Sequence, residues 1–257
     1  MKIRLSALFI CSCITNHLLA TSGLVILVGI PKCGTHLLSQ TVSLLTDTRI
    51  DFIGDFGCGY KLLSEKGVQN LKESGKRITH SHLLSTENNF DLATQHAIKI
   101  LFIYRDPRDQ VVSLFYHKQR PPAVGASIPR KPQRPLTQLI SEVNNRYRNQ
   151  LGWIKQPNVY AIKFEDLIGP KGGGSQNIQL QVMRNIADFL GLHKSDEEIK
   201  NLANKVHGSN MSWTFRKGQI GAWKKEFTRG QRLLFRDKNQ ALLEELGYET
   251  NDRWVNA

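Results

Sequence analysis

Leu24-Val-Ile-Leu-Val-Gly29 runs directly into Ile30-Pro-Lys-Cys-Gly-Thr35, and these twelve residues decide the fold. The first six form an unbroken apolar run rich in β-branched residues, which suits a strand buried on both faces. The helix expected from Thr35 to Leu45 would carry Leu37, Leu38, Thr41, Leu44 and Leu45 on one face. Strand, tight loop and helix in this order open a doubly wound α/β sheet.

The pattern recurs downstream. Ile98 to Tyr104 reads as a second buried strand, and Pro107 sits where the first turn of a helix tolerates proline. That helix carries Val111, Val112, Leu114 and Phe115. Asn158 to Phe164 reads as a third strand, followed by Glu165 and Asp166. Helices are expected over 136–154, 178–190, 195–206 and 231–246, the second ending at Gly191. Two segments break the rhythm. Residues 118–135 hold five prolines among basic residues and read as a surface loop, either a solvated connector or a cover over a binding site. Gly172-Gly-Gly-Ser175 reads as a flexible turn, a linker rather than a phosphate cradle, because no strand runs directly into it.

The 257 residues fit one domain, with an apolar segment over 1–23 and the domain proper over 24–257. A hydrophobic share of 40% is enough for a core. The 35 Lys and Arg against 22 Asp and Glu leave +13, a field that attracts anions without naming one. No dense basic run or nucleic-acid-binding motif is present, so no nucleic-acid partner is expected. Four cysteines without metal-binding spacing predict neither a disulfide scaffold nor a metal site. Lys2 and Arg4 ahead of the apolar run Leu5 to Ile14 leave two readings open. With no cleavage the chain is cytoplasmic, the favoured expectation; if residues 1–20 act as a signal it is secretory or membrane-associated.

The loop after the first strand has chemistry of its own. Gly29 and Gly34 carry the glycine spacing of a Walker A loop, but Thr35 and His36 stand where its Lys and Ser/Thr belong. Backbone N–H groups and Lys32 still make an anion site, although an ordinary turn capped by Thr35 would read the same way. The second strand ends on Arg105 rather than on an acidic residue suited to Mg²⁺, which argues against a P-loop kinase or triphosphatase. Asp106 and Asp109, beside Arg105 and Arg108, are expected to cap turns and form ion pairs. Arg105 and Ser113 lie eight positions apart and can address one phosphate if the loop folds back.

Taken in order, these residues resemble the PAPS-dependent sulfotransferase family, where PAPS is 3′-phosphoadenosine 5′-phosphosulfate. Pro31-Lys-Cys-Gly-Thr35 is similar to its 5′-phosphosulfate loop, and Tyr104-Arg-Asp-Pro-Arg-Asp-Gln-Val-Val-Ser113 to its 3′-phosphate motif. Phe164-Glu-Asp-Leu167 resembles a third segment, and Phe215-Arg-Lys-Gly218 with Gly221-Ala-Trp-Lys224 a C-terminal signature. The resemblance spans residues 24 to about 254. It implies a single α/β domain of the P-loop-containing nucleotide-binding type, with a central, mainly parallel sheet flanked by helices. It also implies PAPS as co-substrate without a metal, and an alcohol, phenol, amine or glycan as acceptor.

The site residues follow from the same resemblance. Lys32, Cys33, Gly34, Thr35 and His36 would cradle the phosphosulfate, with Lys32 neutralising the leaving oxygen. Arg105, Ser113, Arg216, Lys217 and Gly218 would clamp the 3′-phosphate, and Ser113 would also engage Lys32. Phe164 contacts the nucleotide or belongs to the core. Thr79-His-Ser-His82 aligns His82 with the family's catalytic histidine, a general base suited to neutral pH. The departures are His80 for lysine, His36-Leu37 for Thr-Trp, Leu84 for proline and Cys33 for serine. They leave a catalytically impaired PAPS-binding protein as the alternative. Trp153, Trp213, Trp223 and Trp254 are packing or acceptor-pocket residues.

Overall fold

The computed structural model describes residues 23–52, 61–119, 134–206 and 217–256. Among them five strands pair in parallel: β1 (Val25–Gly29), β2 (Asp51–Phe52), β3 (Ile78–Ser81), β4 (Lys99–Tyr104) and β5 (Val159–Lys163). Their order across the sheet is β2-β3-β1-β4-β5. The helices of the first half are α1 (Thr35–Thr46), α2 (Glu65–Glu73), α3 (Glu87–Gln95), α4 (Pro107–Gln119) and α5 (Leu136–Leu151). Those of the second half are α6 (Phe164–Leu167), α7 (Gln176–Leu190), α8 (Asp196–Ala203), α9 (Trp223–Glu226) and α10 (Arg229–Glu245).

Alternation along the two central strands builds a core on each face. Val25 and Leu27 of β1 and Leu101 and Ile103 of β4 pack with α1, α7 and α8. Ile26, Val28, Ile100 and Phe102 point the other way, to α2–α5 and α10. Each such aliphatic side chain removed from water contributes roughly 1.5–3 kcal/mol, which is why these strands read as continuous apolar runs. Between them Gly29 lies level with Ile103. The chain leaves β1 toward one edge of the sheet and β4 toward the other. The loops therefore diverge and open a crevice above the carboxyl ends of β1 and β4.

Strands and helices expected from the sequence appear within a few residues, with instructive differences. β3 was not among the expected strands, because three of the four residues of Ile78-Thr-His-Ser81 are polar, yet Thr79 and Ser81 are buried. The third strand stops at Lys163, and Phe164 opens α6. The helix expected to reach 154 ends at Leu151 and tightens into a 3-10 turn over Gly152–Lys155. There a Cβ on Gly152 would stand 2.8 Å from Ser85 Cβ. Gly191 ends α7 in the left-handed region, as expected. The Gly172–Gly174 segment is a correction: it is a packed turn, not a linker. Gly172 is buried against Ile168, and its carbonyl accepts from Ile220 N at 3.0 Å. Residues 120–133, most of the proline-rich loop, lie outside the described residues, as does the segment 1–22. Among the described residues no helix is long and apolar enough to cross a membrane.

One buried charge ties the C-terminal helices to this frame. Arg108 pairs with Asp106 at 2.8 Å and Glu249 at 2.6 Å. Its guanidinium lies 4.1 Å from the centroid of Trp223 and 4.7 Å from that of Trp254. Arg108→Ala strands two carboxylates beside an emptied slot, a loss of about 3–5 kcal/mol. The urea midpoint of the variant should fall accordingly; an unchanged midpoint would show that the cluster is not a support.

Candidate functional site

The loop after β1 is shaped by two left-handed residues, Lys32 at φ 71° and Gly34 at φ 106°. Cys33 N donates to Ile30 O at 2.9 Å and closes the turn. Gly34 caps α1 without a side-chain bond, so the first amides of the helix remain open to an anion. Both glycines are required by contact. A Cβ on Gly29 would collide with Thr35 Oγ1, and one on Gly34 would stand 2.7 Å from the Phe164 ring. Thr35 does not cap the turn. Its hydroxyl is buried and has no hydrogen-bond partner among the described residues.

The second half of the site forms at the end of β4. Arg105 is buried, with its guanidinium 4.1 Å from the centroid of Phe164. It donates to Gln219 O at 2.6 Å and Asp109 Oδ2 at 3.3 Å, while its Nε has no partner among the described residues. Asp109 also accepts from Gly221 N at 2.8 Å and Trp223 N at 2.9 Å. Burial raises its pKa, against the pull of Arg105 and those amides. Asp109 thus folds the 217–223 segment back over Arg105, and Gln219 Nε2 fastens that segment to Lys171 O at 2.8 Å. The expected capping and ion-pair roles of both aspartates are borne out.

Most of the expected site residues come together. The buried Phe164 ring touches both the Gly34 backbone and Arg105, making one surface of the two loops. Gly218 is half-buried beside Gln219; Lys217 is exposed, 3.9 Å from Glu226. Ser113 is half-buried two turns along α4. Cys33 turns inward: its Sγ lies 3.3 Å from Tyr147 Oη, and burial pushes its thiol up to about 12. Arg216 and Trp213 lie outside the described residues. The other three tryptophans, Trp153, Trp223 and Trp254, are buried packing residues.

His82 reaches the same crevice from the end of β3, and its Nδ1 bonds Gly29 O. A carbonyl can only accept, so Nδ1 carries the proton and the lone pair falls on Nε2. Burial lowers His82 to about 4, the Gly29 bond opposing and His80, His36 and Lys32 adding to the fall. The ring is therefore uncharged at neutral pH. The His36 and His80 rings meet edge-on at 6.1 Å and line an open cleft of about 450 Å³ with Ser39, Ser43, Thr48 and Arg49.

Reasoning from the sequence missed the supports beneath these loops. Tyr147 Oη donates to Arg105 O at 2.6 Å and so ties the Cys33 turn to the end of β4. Gln110 Nε2 donates to Pro31 O at 2.7 Å, and Gln150 Nε2 reaches Gly29 O and Leu83 O. The available signal was a run of polar residues, Tyr147 and Gln150, continuing the apolar stripe of Leu139, Ile140 and Val143 on α5.

The profile of the family described as "Sulfotransferase domain" matches residues 23–247. The chain belongs to the sulfotransferase family. It is 25% identical to mouse Sulfotransferase 6B1 over 236 residues, covering 82% of this chain and 73% of the mouse protein. Human Sulfotransferase 6B1 is 24% identical over 228 residues, 79% of this chain and 71% of the human protein. The fold is shared with mouse sulfotransferase SULT7A1 complexed with PAP, at TM-score 0.59 and 21% identity over 85% of both chains. Retinol dehydratase in a complex with retinol and PAP gives TM-score 0.60 and 16% identity over 85% of this sulfotransferase and 80% of that chain.

A pH dependence of stability follows from the histidines. The fold lowers His36 to about 4 as well, through burial and then the charges of His80 and Lys32. Both imidazoles have folded values below the ordinary 6.5. Their contribution to stability is thus complete above that value and disappears as pH falls toward 4. The thermal midpoint should drop between pH 7 and pH 5, and drop less in His82→Asn; an equal drop would contradict the assignment.

Proposed function

We infer that this sulfotransferase uses PAPS and transfers its sulfuryl group in line to a hydroxyl or amine acceptor. The observation that carries the reading is the meeting of two anion sites, one after β1 and one after β4, across the Phe164 ring. A nucleotide with a phosphate at its 3′ end and a phosphosulfate at its 5′ end has two matching poles. The Thr35 hydroxyl and Arg105 Nε are buried donors of the kind such oxygens would engage. Lys32, Gly34, Thr35 and His36, with the open amides of α1, would hold the 5′ end. Cys33 would contribute through the shape of the turn. Arg105, Ser113, Lys217 and Gly218, together with Arg216, would hold the 3′ end.

PAPS supplies a sulfuryl group already activated as a mixed anhydride. The chain's own residues supply position and charge. Lys32 neutralises the oxygen left behind as the sulfur–oxygen bond breaks, and Ser113 engages the Lys32 ammonium until the acceptor is in place. His82 Nε2 takes the proton that the acceptor oxygen or nitrogen releases as its bond to sulfur forms. The cleft beside His36 and His80 gives the acceptor an approach. An alcohol, phenol, amine or glycan fits this chemistry, and the androsterone and retinol found with retinol dehydratase support a small acceptor.

Labelled PAPS with an acceptor panel tests the reading. His82→Ala should lower kcat by about 10²–10⁴-fold with adenosine 3′,5′-bisphosphate affinity retained. Lys32→Ala should lower kcat by about 10²–10³-fold. Undiminished transfer in both variants would remove these residues from the mechanism. Nucleotide binding without transfer to any acceptor would favour the catalytically impaired alternative, which the departures at His36, His80 and Leu84 motivate.

A further inference from the structure

α5 and the turn that follows it present Tyr147, Gln150 and Trp153 three residues apart, close to one helical turn each, so all three lie on one buried face. Each side chain donates to a backbone carbonyl beside the crevice. Tyr147 bonds Arg105 O at 2.6 Å, and Trp153 Nε1 bonds Leu83 O at 3.1 Å. Gln150 sits between them, its Nε2 3.4 Å from Gly29 O and 3.1 Å from Leu83 O. Gly29 begins the Lys32 loop, and Leu83 follows His82. One amide nitrogen therefore spans the two segments that carry the proposed leaving-group cation and the proposed base.

The Gly29 carbonyl receives two donors, Gln150 Nε2 and His82 Nδ1. A carbonyl oxygen has two lone pairs, so this pair of donors fills it and fixes its direction. The His82 ring takes both its tautomer and its tilt from that oxygen. We propose that Gln150 is a positioning residue for proton removal, holding the Gly29 carbonyl so that His82 presents Nε2 to the acceptor. The proposal rests on the reading of His82 as the base.

Hydrogen-bond satisfaction alone does not explain Gln150. Without its amide, each carbonyl still has one donor in reach, His82 Nδ1 at Gly29 O and Trp153 Nε1 at Leu83 O, so neither is orphaned, but the Gly29 oxygen is no longer held in direction and the His82 bond loosens. What disappears is the link between the two segments. Gln150 is 2% exposed, so no solvent is at hand to replace it. A buried carboxamide carries a desolvation penalty that an aliphatic side chain of the same length avoids. Methionine is such a side chain, unbranched and of similar size, and Gln150→Met should therefore fold.

The full chain with ¹⁵N-labelled histidine gives a test that requires no acceptor. In the wild type the His82 ring should show one tautomer, with proton-bearing Nδ1 and pyridine-like Nε2; His82→Ala identifies its signals. In Gln150→Met the two nitrogens should move toward averaged positions while the thermal midpoint stays within a few degrees. An unmoved single tautomer in the variant overturns the proposal, and so does a loss of global stability that accounts for the change. Kinetics with any acceptor used by the wild type separate the two readings. Gln150→Met should lower kcat by about 10²-fold with PAPS affinity retained. The double variant with His82→Ala should be no slower than His82→Ala alone. A further drop in the double variant means that Gln150 acts elsewhere. Full activity in His82→Ala overturns the base assignment itself, and the positioning role with it.

Discussion

The parallel pairing of β1 with β4, Gly29 level with Ile103, sets where every other part of the site must lie. The turn after β1 carries Lys32 and the turn after β4 carries Arg105, and both turns start from the carboxyl ends of their strands. A slip of one residue would exchange the inward and outward faces of β1 and turn Ile26 and Val28 away from α5 and α10. Register is therefore enforced by both cores at once. The spacing between the Lys32 turn and Arg105 follows from it. The proposed site for two separated anionic poles is thus a consequence of close packing before it is a matter of any single side chain.

This explains which features could be read from sequence. The runs 24–29 and 98–104 are apolar because both faces are covered, so they declare themselves. Glycine and proline punctuation likewise revealed the turns after them and the end of α7. β3 was hidden because its buried residues include Thr79 and Ser81, and β2 because it has two residues only. The glycines at 172–174 carry the composition of a linker, but Gly172 is there for close approach to Ile168 and the Gly218 carbonyl. Composition cannot distinguish those two uses. The tertiary contact does.

The site residues divide in the same way. Lys32, Arg105 and His82 were singled out through motif, since the roles proposed for them depend on short local spacing. Tyr147 and Gln150 were not, because their partners lie 42 to 121 residues away along the chain. Cys33 shows the limit of motif reading most clearly. Its place in the loop suggests a ligand contact, whereas its sulfur faces Tyr147 and serves the joint between the two turns. Burial keeps that thiol protonated, a state suited to a weak hydrogen bond and unsuited to nucleophilic chemistry.

The local energetics argue that the crevice is maintained for a ligand. Lys32 occupies a left-handed conformation that costs an L-residue roughly 1–2 kcal/mol. Thr35 Oγ1 and Arg105 Nε are buried without partners among the described residues, and each such group costs about 1–3 kcal/mol. A fold selected for stability alone would place glycine at 32, an aliphatic residue at 35 and no guanidinium beneath Phe164. These penalties fall together at one crevice, between two turns held apart by β1 and β4. An anionic ligand that accepts from Thr35 and Arg105 relieves two of them on binding. Neutral His82 stands beside that charge, and an anion there raises the ring's affinity for a proton. On the proposed reading, donor binding and proton acceptance by His82 are therefore coupled through the same few ångströms of protein.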